Sequence, residues 1–324
     1  MRSAVKILNM LYGAEGYVSG EEMARGLGIS RTAVWKQIQD LRGGDFIIEA
    51  KPRSGYRIIS YPDKLLPLMV EKGLRTAAVG RKIYYYQSLD STNLVARSFA
   101  EEGAPEGSLV LTEEQVNGKG RCGRDWVSPK GVNILASVIL RPPIVPRQVP
   151  LMAVLGAVSV VESIRQVTGL EAKYRWPHEV VVGDKKVAGV LTEFGAELDR
   201  VNFVVLGLGI NVNFDLTAFP GLASGATSLW MESKVKVSRV KLLQTLLERI
   251  ESNYQLLKNN KFHLPWSLWS GSFWRLGTWV QAVSAGDKYS GVLKRMDDTG
   301  CLILAEVDGE RMVPMSGDAS LTTD

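Results

Sequence analysis

The sequence predicts an α+β protein with three domains: a winged helix-turn-helix over residues 1–61, a central mixed α/β domain over 64–271 and a small β-barrel over 272–324. A chain of 324 residues has the length of two or three domains. Its first segment reads as short amphipathic helices followed by a strand–turn–strand unit. The middle reads as mixed strands and helices, and the last segment as short strands between Gly and Asp turns.

Composition excludes several other classes of protein. The chain is 45% hydrophobic and 23% charged, as globular proteins are, and its longest apolar run, residues 151–161, is too short for a membrane span. Two cysteines and two histidines leave no disulfide framework, zinc ribbon or histidine-based metal centre, so no metal site is expected. The N-terminus lacks the apolar core of a signal peptide. We expect a cytoplasmic protein with no membrane partner, and the net charge of +5 favours an anionic one.

Three helices are expected in the first domain. Residues 4–11 form the first, Ser19 caps the second, and Gly28 makes the turn to a third over 31–42. Apolar residues recur in that third helix at helical spacing, which leaves a polar and basic face outward. This pattern is typical of a helix-turn-helix whose last helix is the recognition helix. The residues predicted to contact DNA are Arg31, Thr32, Trp35, Lys36 and Gln39, and Arg42 shares their outward face.

The hairpin after this helix is the predicted wing. Strands at 46–50 and 56–59 flank a turn at 51–55 that carries Arg53, a further predicted DNA contact. Between residues 31 and 57 there are six Lys and Arg against three Asp and Glu. Helix and wing therefore form a moderately basic surface suited to DNA phosphates. The alternative is a small helical interaction domain that never touches DNA.

A glycine-rich loop in the central domain carries several cations. Residues 118–123 match the pattern GxGxxG, but the sequence that follows reaches Pro129 and Gly131 and cannot form the helix that a dinucleotide fold needs. The loop offers positive charge on a backbone that can approach a ligand closely. We expect it to be mobile when empty and to order around a polyanionic ligand. Its cations are Lys119, Arg121, Arg124 and Lys130.

Two later segments also place polar residues beside glycines. Residues 175–179 lead into a hairpin that carries Lys186 three residues before Gly189. A strand over 201–206 is expected to end in a glycine-containing segment that includes Asn211. Both segments suit a close approach of backbone to ligand.

The order of these motifs resembles that of the bifunctional biotin–protein ligases that are also biotin operon repressors. The resemblance covers essentially the whole chain, including the winged helix. It implies a central ligase domain related to class II synthetases and a C-terminal barrel of SH3-like type. The matching segments are 90–93, Gln115 with 118–124, 126–133, Trp176 with Pro177, 186–189, 207–211, 226–229 and the turn with Gly286, Asp287 and Gly291.

The resemblance implies a reaction in two steps. The carboxylate of biotin attacks the α-phosphate of ATP, with Mg²⁺ bridging the triphosphate, and gives biotinyl-5′-AMP and pyrophosphate. A lysine amine of a biotin carboxyl carrier protein then takes the biotinyl group. The adenylate would also be the signal for repression, because it would promote a homodimer whose two winged helices bind operator DNA.

The resemblance also assigns site residues. Arg121 and Lys186 would be catalytic, since joining two anions needs fixed cations. The residues implied in biotin binding are Ser91, Thr92, Asn93, Gln115, Gly118, Lys119, Arg121, Lys186, Gly189 and Gly207. The residues implied in ATP binding are Arg121, Arg124, Trp126, Arg175, His178, Glu179, Lys186 and Asn211.

One segment departs from the family pattern. The family has Lys-Trp-Pro-Asn-Asp where this chain has Arg175-Trp176-Pro177-His178-Glu179. If His178 touches phosphate, the rate of adenylation should depend on pH near the ordinary imidazole pKa of ~6.5. We expect an active ligase. The alternatives are a DNA-binding biotin sensor with weak or lost ligase activity and a lipoate-type protein ligase.

Overall fold

The computed structural model describes residues 2–323 and divides the chain into two compact units, Met1–Lys64 and Leu65–Asp324. The first unit contains a two-stranded sheet, and the second contains a seven-stranded sheet and a five-stranded sheet. The boundary predicted near residue 272 therefore lies inside a single compact unit.

Capping residues define the helices of the first unit, α1 (Arg2–Gly13), α2 (Gly20–Leu27) and α3 (Arg31–Gly43). Ser19 Oγ accepts from the backbone N–H of Glu22 at 3.0 Å, and Ser30 Oγ accepts from that of Ala33 at 3.1 Å. Gly28 adopts φ 64° and ends α2 in the left-handed conformation. The core of this unit is the apolar face of the three helices, including Ile7, Met23, Val34 and Ile38.

The wing is an antiparallel hairpin of β1 (Ile47–Lys51) and β2 (Gly55–Ser60). Gly55 is required there, since its φ is 115° and a Cβ atom would lie 2.1 Å from the carbonyl oxygen of Val18. Arg42 does not face outward as expected. It donates through Nε (3.1 Å) and a terminal nitrogen (2.6 Å) to the carbonyl of Ile48, and so ties α3 to the wing.

The second unit is built on a mixed sheet in the order β3-β4-β5-β9-β8-β7-β6. Strands β3 and β4 are parallel, and the other neighbours are antiparallel. The segment expected to follow a strand at 201–206 is itself strand, because β9 continues to Ile210. The strands are β3 (Ile83–Tyr86), β4 (Leu109–Thr112), β5 (Ile134–Leu140), β6 (Ala172–Arg175), β7 (Glu179–Val182), β8 (Lys185–Glu197) and β9 (Arg200–Ile210).

Helices cover this sheet, and α6 is the most apolar of them. By length and composition alone, residues 146–168 could cross a membrane, but most of that stretch is buried, and α6 packs against β8 and α9. It is thus a core helix of this unit. The helices are α4 (Pro67–Gly73), α5 (Thr92–Glu101), α6 (Pro150–Thr168), α7 (Pro220–Ala223), α8 (Leu229–Ser233), α9 (Arg239–Asn259) and α10 (Trp266–Trp269).

A five-stranded antiparallel sheet follows, in the order β13-β12-β11-β10-β14. It shares a hydrophobic core with the mixed sheet, and the buried indole N–H of Trp176 donates to the carbonyl of Gly300 at 2.9 Å. The predicted fold class is confirmed: a winged helix, a mixed α/β domain and a C-terminal β-domain. The strands are β10 (Trp279–Ser284), β11 (Asp287–Met296), β12 (Leu302–Glu306), β13 (Gly309–Val313) and β14 (Ser320–Thr322).

A buried carboxylate connects the start of the second unit to the strand end that carries Gln115. Glu113 accepts the backbone N–H of Leu65 at 2.8 Å and pairs with Arg239 at 2.7 Å, and both side chains are buried. A terminal nitrogen of Arg239 also donates to the carbonyl of Asn133 at 3.1 Å. Since a buried charge is tolerated when it is paired and hydrogen-bonded, this network fixes the end of β4.

Candidate active site

The main cavity of the second unit has a volume of about 900 Å³ including its open mouth. Its lining comes from the start of α5, Gln115, the glycine-rich loop with Trp126, the turn with His178, strands β8 and β9, and residues 317–319. The lining includes side chains with hydrogen-bonding groups and four cationic side chains, Lys119, Arg121, Arg124 and Lys186. Such a cavity suits a ligand with one polar uncharged end and one anionic end.

Hydrogen bonds fix the polar end of the cavity. The backbone N–H and the hydroxyl of Thr92 both donate to Gln115 Oε1, at 2.8 and 3.0 Å. Ser137 Oγ lies 2.8 Å from Thr92 Oγ1 and 2.7 Å from Asn93 Oδ1. Asn93 Nδ2 donates to the carbonyl of Leu191 at 3.3 Å. Residues of α5, β5 and β8, together with Gln115, thus orient one polar surface.

Glycines of the sheet leave room for the side chains of Asn93 and Trp126. A Cβ atom at Gly207 would lie 2.2 Å from Asn93 Oδ1, and one at Gly209 would lie 2.6 Å from the ring of Trp126. A Cβ atom at Gly189 would also be tight, at 3.2 Å from that ring. In the described structure, then, these glycines accommodate residues of the site itself.

Trp126 has a buried polar atom without a partner. Among residues 2–323, its indole N–H is buried and finds no hydrogen-bond acceptor. A buried donor without an acceptor costs free energy, so it is a candidate contact for a ligand oxygen.

One carboxylate organises part of the cationic end. Glu179 accepts from Lys186 Nζ through Oε1 at 3.0 Å, and from Nε and a terminal nitrogen of Arg175 through Oε2 at 2.9 and 2.7 Å. Burial raises the pKa of Glu179, but Lys186 and Arg175 outweigh burial and lower that pKa to about 2. Glu179 is therefore ionised and holds the ammonium of Lys186, 5.4 Å from the ring centre of Trp126.

Arg121 is held on two sides. One terminal nitrogen donates to His178 Nδ1 at 2.9 Å, and the other donates to the backbone carbonyl of Ser316. Burial, Lys186 and Arg121 lower the pKa of His178 to about 3. The expectation of a titration near pH 6.5 applies to a His178 in contact with phosphate and stays a prediction, because without that contact burial among cations keeps the ring neutral.

The C-terminal segment was not predicted to reach the cavity. Gly317, Asp318 and Ala319 line it, and Cys122 Sγ lies 2.8 Å from the carbonyl of Gly317. The Ser316 hydroxyl and the backbone N–H groups of residues 285 and 286 lower the pKa of Asp318 to about 2. The predicted turn at Gly286 and Asp287 was the sequence feature that lies next to this segment, and Asp318 accepts the backbone N–H of Gly286.

The structure brings most of the predicted ligand contacts together. Those that line the cavity are Ser91, Thr92, Asn93, Gln115, Lys119, Arg121, Arg124, Trp126, His178, Lys186, Gly189 and Gly207. Four others are not among its lining residues. Gly118 packs against the carbonyl of Trp126, Arg175 and Glu179 pair behind Lys186, and Asn211 donates through Nδ2 to the carbonyl of Thr227 at 3.1 Å.

The predicted nucleic-acid interface lies on the first unit. On α3 the side chains of Arg31, Thr32, Trp35 and Lys36 are exposed, and Gln39 is partly exposed. Arg53 is exposed in the turn of the wing. These residues form the outward face of the recognition helix and the tip of the hairpin.

Among residues 2–323, no group of three or more His, Cys, Asp or Glu side chains is placed to hold a metal ion.

A winged helix-turn-helix on one unit and a cation-lined ligand cavity on a mixed sheet together define a DNA-binding protein with a ligase-type domain. Comparison with known proteins gives the same class. Residues 85–211 match the model of the biotin/lipoate A/B protein ligase family, and residues 4–57 match that of an HTH domain.

The chain is similar over nearly its whole length to two bacterial proteins. It is 36% identical to the bifunctional ligase/repressor BirA of Bacillus subtilis, over 97% of this chain and 98% of that one. Identity to the Escherichia coli bifunctional ligase/repressor BirA is 26%, over 98% and 96%. The fold is that of the biotin protein ligase from Aquifex aeolicus, with a TM-score of 0.61, 24% identity, and coverage of 75% of this chain and 100% of that one.

The chain belongs to the biotin/lipoate protein ligase family, as one of its bifunctional ligase/repressors. It is an enzyme of the biotin–protein ligase class. The family, fold class and enzyme class predicted from the sequence are confirmed.

Proposed function

We propose that this ligase activates biotin with ATP to biotinyl-5′-AMP, transfers biotin to a lysine of a biotin carboxyl carrier protein in the cytoplasm, and uses the adenylate to control repression. The observation that carries the proposal is the polarity of the cavity. Its lining combines the uncharged hydrogen-bonding groups of Thr92 and Gln115 with the fixed cations of Arg121 and Lys186.

The polar end suits the ureido ring of biotin. Hydroxyl and amide groups of Ser91, Thr92 and Gln115 can donate to a urea oxygen and accept from urea N–H groups. Asn93 supports these groups, because it packs against Gly207 and donates to the carbonyl of Leu191. With the ring at this end, the acyl chain of biotin directs its carboxylate toward Lys186 and Arg121.

The cationic end suits the first chemical step. A carboxylate oxygen of biotin attacks the α-phosphorus of ATP, an O–P bond forms, and the bond between the α-phosphorus and the bridging oxygen to the β-phosphate breaks, so pyrophosphate leaves with the electron pair. Lys186 neutralises the oxygens shared by the two reactants, and Arg121 holds the α-phosphate in line. Glu179 and Arg175 act behind Lys186 and fix the position of its ammonium.

The second step transfers the biotinyl group. The lysine amine of the carrier attacks the carbonyl carbon of the mixed anhydride, AMP leaves, and the amine loses a proton to give an amide. The remaining proposed nucleotide contacts are Arg124 and the unpartnered indole N–H of Trp126. His178 serves the nucleotide through its hydrogen bond with Arg121. Asn211, whose backbone N–H donates to the carbonyl of Val187 next to Lys186, is also proposed for the nucleotide.

Mg²⁺ is proposed as part of the nucleotide substrate. The carboxylates nearest the loop are already engaged: Asp125 pairs with Lys119 at 2.6 Å, and Asp318 accepts backbone N–H groups. These residues do not suit a protein-held cation, and phosphate oxygens are its ordinary ligands in such reactions. When bound there, Mg²⁺ supplies neutralisation of the triphosphate charge.

The first unit supports the repressor part of the proposal. Its exposed recognition helix and wing can meet the major groove and the adjacent phosphates of operator DNA. We propose that biotinyl-AMP promotes a homodimer, which presents two winged helices to an inverted repeat. Sedimentation and DNA-binding measurements with and without the adenylate test this. An unchanged mass together with an unchanged DNA affinity contradicts it.

The ligase proposal is tested with labelled biotin, MgATP and a carrier domain. We expect pyrophosphate release in a single turnover and label on the carrier. A sensor without ligase activity would bind biotin and release no pyrophosphate. A lipoate-type ligase would label the carrier only when lipoate replaces biotin. Each of these two results contradicts the proposal in a different way.

A further inference from the structure

His178 occupies the turn between β6 and β7 and is fixed by its backbone. Its carbonyl accepts the N–H of Val190 on β8 at 2.9 Å. From this anchored position its Nδ1 accepts a hydrogen bond from Arg121, across 57 positions of sequence.

We propose that His178 is a positioning residue for Arg121: with the carbonyl of Ser316 it holds the guanidinium at the wall of the cavity before any ligand binds. The proposal rests on the function proposed above and adds to it the source of order in the loop. His178 acts on the adenylate through Arg121, and it need not contact the ligand itself.

The geometry gives the guanidinium a fixed plane. One terminal nitrogen is bound to an imidazole of the mixed-sheet domain, and the other to a backbone carbonyl of the C-terminal segment. An arginine side chain has several rotatable bonds, and holding it in one rotamer in advance removes that ordering from the cost of ligand binding. A guanidinium has five N–H groups, so those not used here remain for phosphate and carboxylate oxygens.

The interaction requires a neutral imidazole with its proton on Nε2. The charged groups that bear on the ring are Arg121, Arg124 and Lys186, with Glu179 as the one counter-charge. A second proton on Nδ1 would face a guanidinium nitrogen at 2.9 Å, so the cations around the ring keep Nδ1 free to accept. A side chain with an acceptor at the place of Nδ1 can therefore replace the imidazole, whereas one without an acceptor cannot.

The pair also belongs to a wall between two cavities. Together with Val190, Leu191 and Gly317, Arg121 and His178 line both the ligand cavity and a neighbouring cavity of about 730 Å³ including its open mouth. Loss of the hydrogen bond would leave Arg121 held by the carbonyl of Ser316 alone and weaken this wall. Both consequences increase the escape of a bound adenylate.

Two variants separate the acceptor from the ring. His178→Phe keeps a ring and removes the acceptor, and His178→Asn keeps an acceptor near the place of Nδ1 and removes the ring. The adenylate is formed in situ from biotin and MgATP in the full chain, and its dissociation is followed after dilution. We expect dissociation to be roughly ten times faster in the Phe variant, as for the loss of one hydrogen bond to a charged group, and close to wild type in the Asn variant.

Hydrogen exchange in the ligand-free protein gives a readout that a purely structural role would not change. We expect residues 117–126 to lose protection in the Phe variant and to keep it in the Asn variant, while protection of α9 stays the same in both. His178→Ala is a second acceptor-free variant, to be used if the Phe variant does not fold.

A double-mutant cycle with Arg121→Gly decides whether His178 acts through Arg121. If it does, adding His178→Phe to the Arg121→Gly variant changes adenylate dissociation no further. Additive effects would mean that His178 contacts the ligand directly, which overturns the inference. Wild-type dissociation from the Phe variant also overturns it. A wild-type protein that forms no adenylate rejects the proposed function instead, so the two failures are distinct.

Discussion

The two basic surfaces of this chain hold their cations in different ways. On the recognition helix and the wing, Lys36 and Arg53 extend into solvent. Around the ligand cavity, Lys119 is paired with Asp125, Lys186 with Glu179, and Arg121 is bound to His178 and Ser316. The first surface exposes Lys36 and Arg53 to solvent, and the second holds Lys119, Lys186 and Arg121 against acceptors of the protein.

The difference follows from the two kinds of ligand. A DNA backbone presents many equivalent phosphates, so mobile cations gain affinity by neutralising whichever phosphate is near, and that affinity depends on salt. An adenylation step brings two particular anions to one geometry, so the cations must be placed before the reaction. Position matters most at the cavity, and charge alone matters most on the winged helix.

Removing the first unit tests whether the two surfaces are independent. Deletion of residues 1–61 should abolish operator binding and leave single-turnover pyrophosphate release unchanged. The physical reason is that Leu65 is already held by Glu113 within the second unit, so the start of that unit keeps its anchor. Filter binding and pyrophosphate assays on the same preparation measure both. A parallel loss of adenylation would show that the first unit helps to build the cavity.

Removing a fixed cation should have the next largest effect. Lys186→Met should lower the rate of pyrophosphate release by about 10²–10³, the effect typical of losing a group aimed at charge in the transition state. Biotin binding should weaken less. Lys185→Met is the matched control, because this neighbour is exposed and does not line the cavity. Equal losses in the two variants would assign the effect to overall charge and not to position.

Removing an exposed cation of the winged helix should have a smaller effect that depends on salt. Lys36→Gln should weaken binding to operator and non-specific DNA alike and lower the slope of log affinity against log salt by about one. Lys288→Gln, the same charge change on an exposed residue of the C-terminal sheet, is the control. A loss confined to the operator would mean that Lys36 reads a base.

The smallest effect concerns acid stability. His178 has a folded-state pKa of about 3, below its ordinary 6.5, so the unfolded chain binds the extra proton and stability falls as pH drops from 6.5 toward 3. Between pH 6.5 and 5 the loss is at most about 2 kcal/mol, or a few degrees in Tm. His178→Asn should remove this part of the pH dependence in a calorimetric scan. An equally acid-sensitive variant would contradict the low pKa.

That pH window isolates His178. The other strongly shifted group of the cluster, Glu179, has its pKa lowered to about 2 from an ordinary 4.5, so its contribution is fully present above the ordinary value and is lost only as pH falls toward 2. A change of acid sensitivity above pH 5 therefore belongs to the imidazole.

Local signals made the winged helix predictable. Ser19 and Gly28 act through neighbours within a few residues, and the structure shows that same cap and that turn. The hairpin that carries Lys186 was equally readable, because two strands and a Gly-Asp turn lie next to each other in sequence. Such contacts depend on spacing along the chain, which the sequence displays directly.

Long-range contacts were not predictable in this way. The bond from Arg121 to Ser316 spans 195 positions, and no periodicity or turn pattern connects the two. Arg42 was expected to face outward because helical spacing alone cannot show that a strand carbonyl lies within reach. The pKa of His178 likewise depends on three cations from two distant segments, Lys186 on β8 and Arg121 with Arg124 in the glycine-rich loop.

The residues that line the cavity come from a long stretch of sequence, from Ser91 to Ala319. This affects the order in which the protein acquires its activities during synthesis. The winged helix consists of contacts among residues 2–64, so a nascent chain can fold it as soon as that stretch leaves the ribosome. The wall that holds Arg121 is completed only when residue 316 has emerged. A ribosome-bound chain therefore has its DNA-reading surface long before it has a complete place to make the adenylate that would control it.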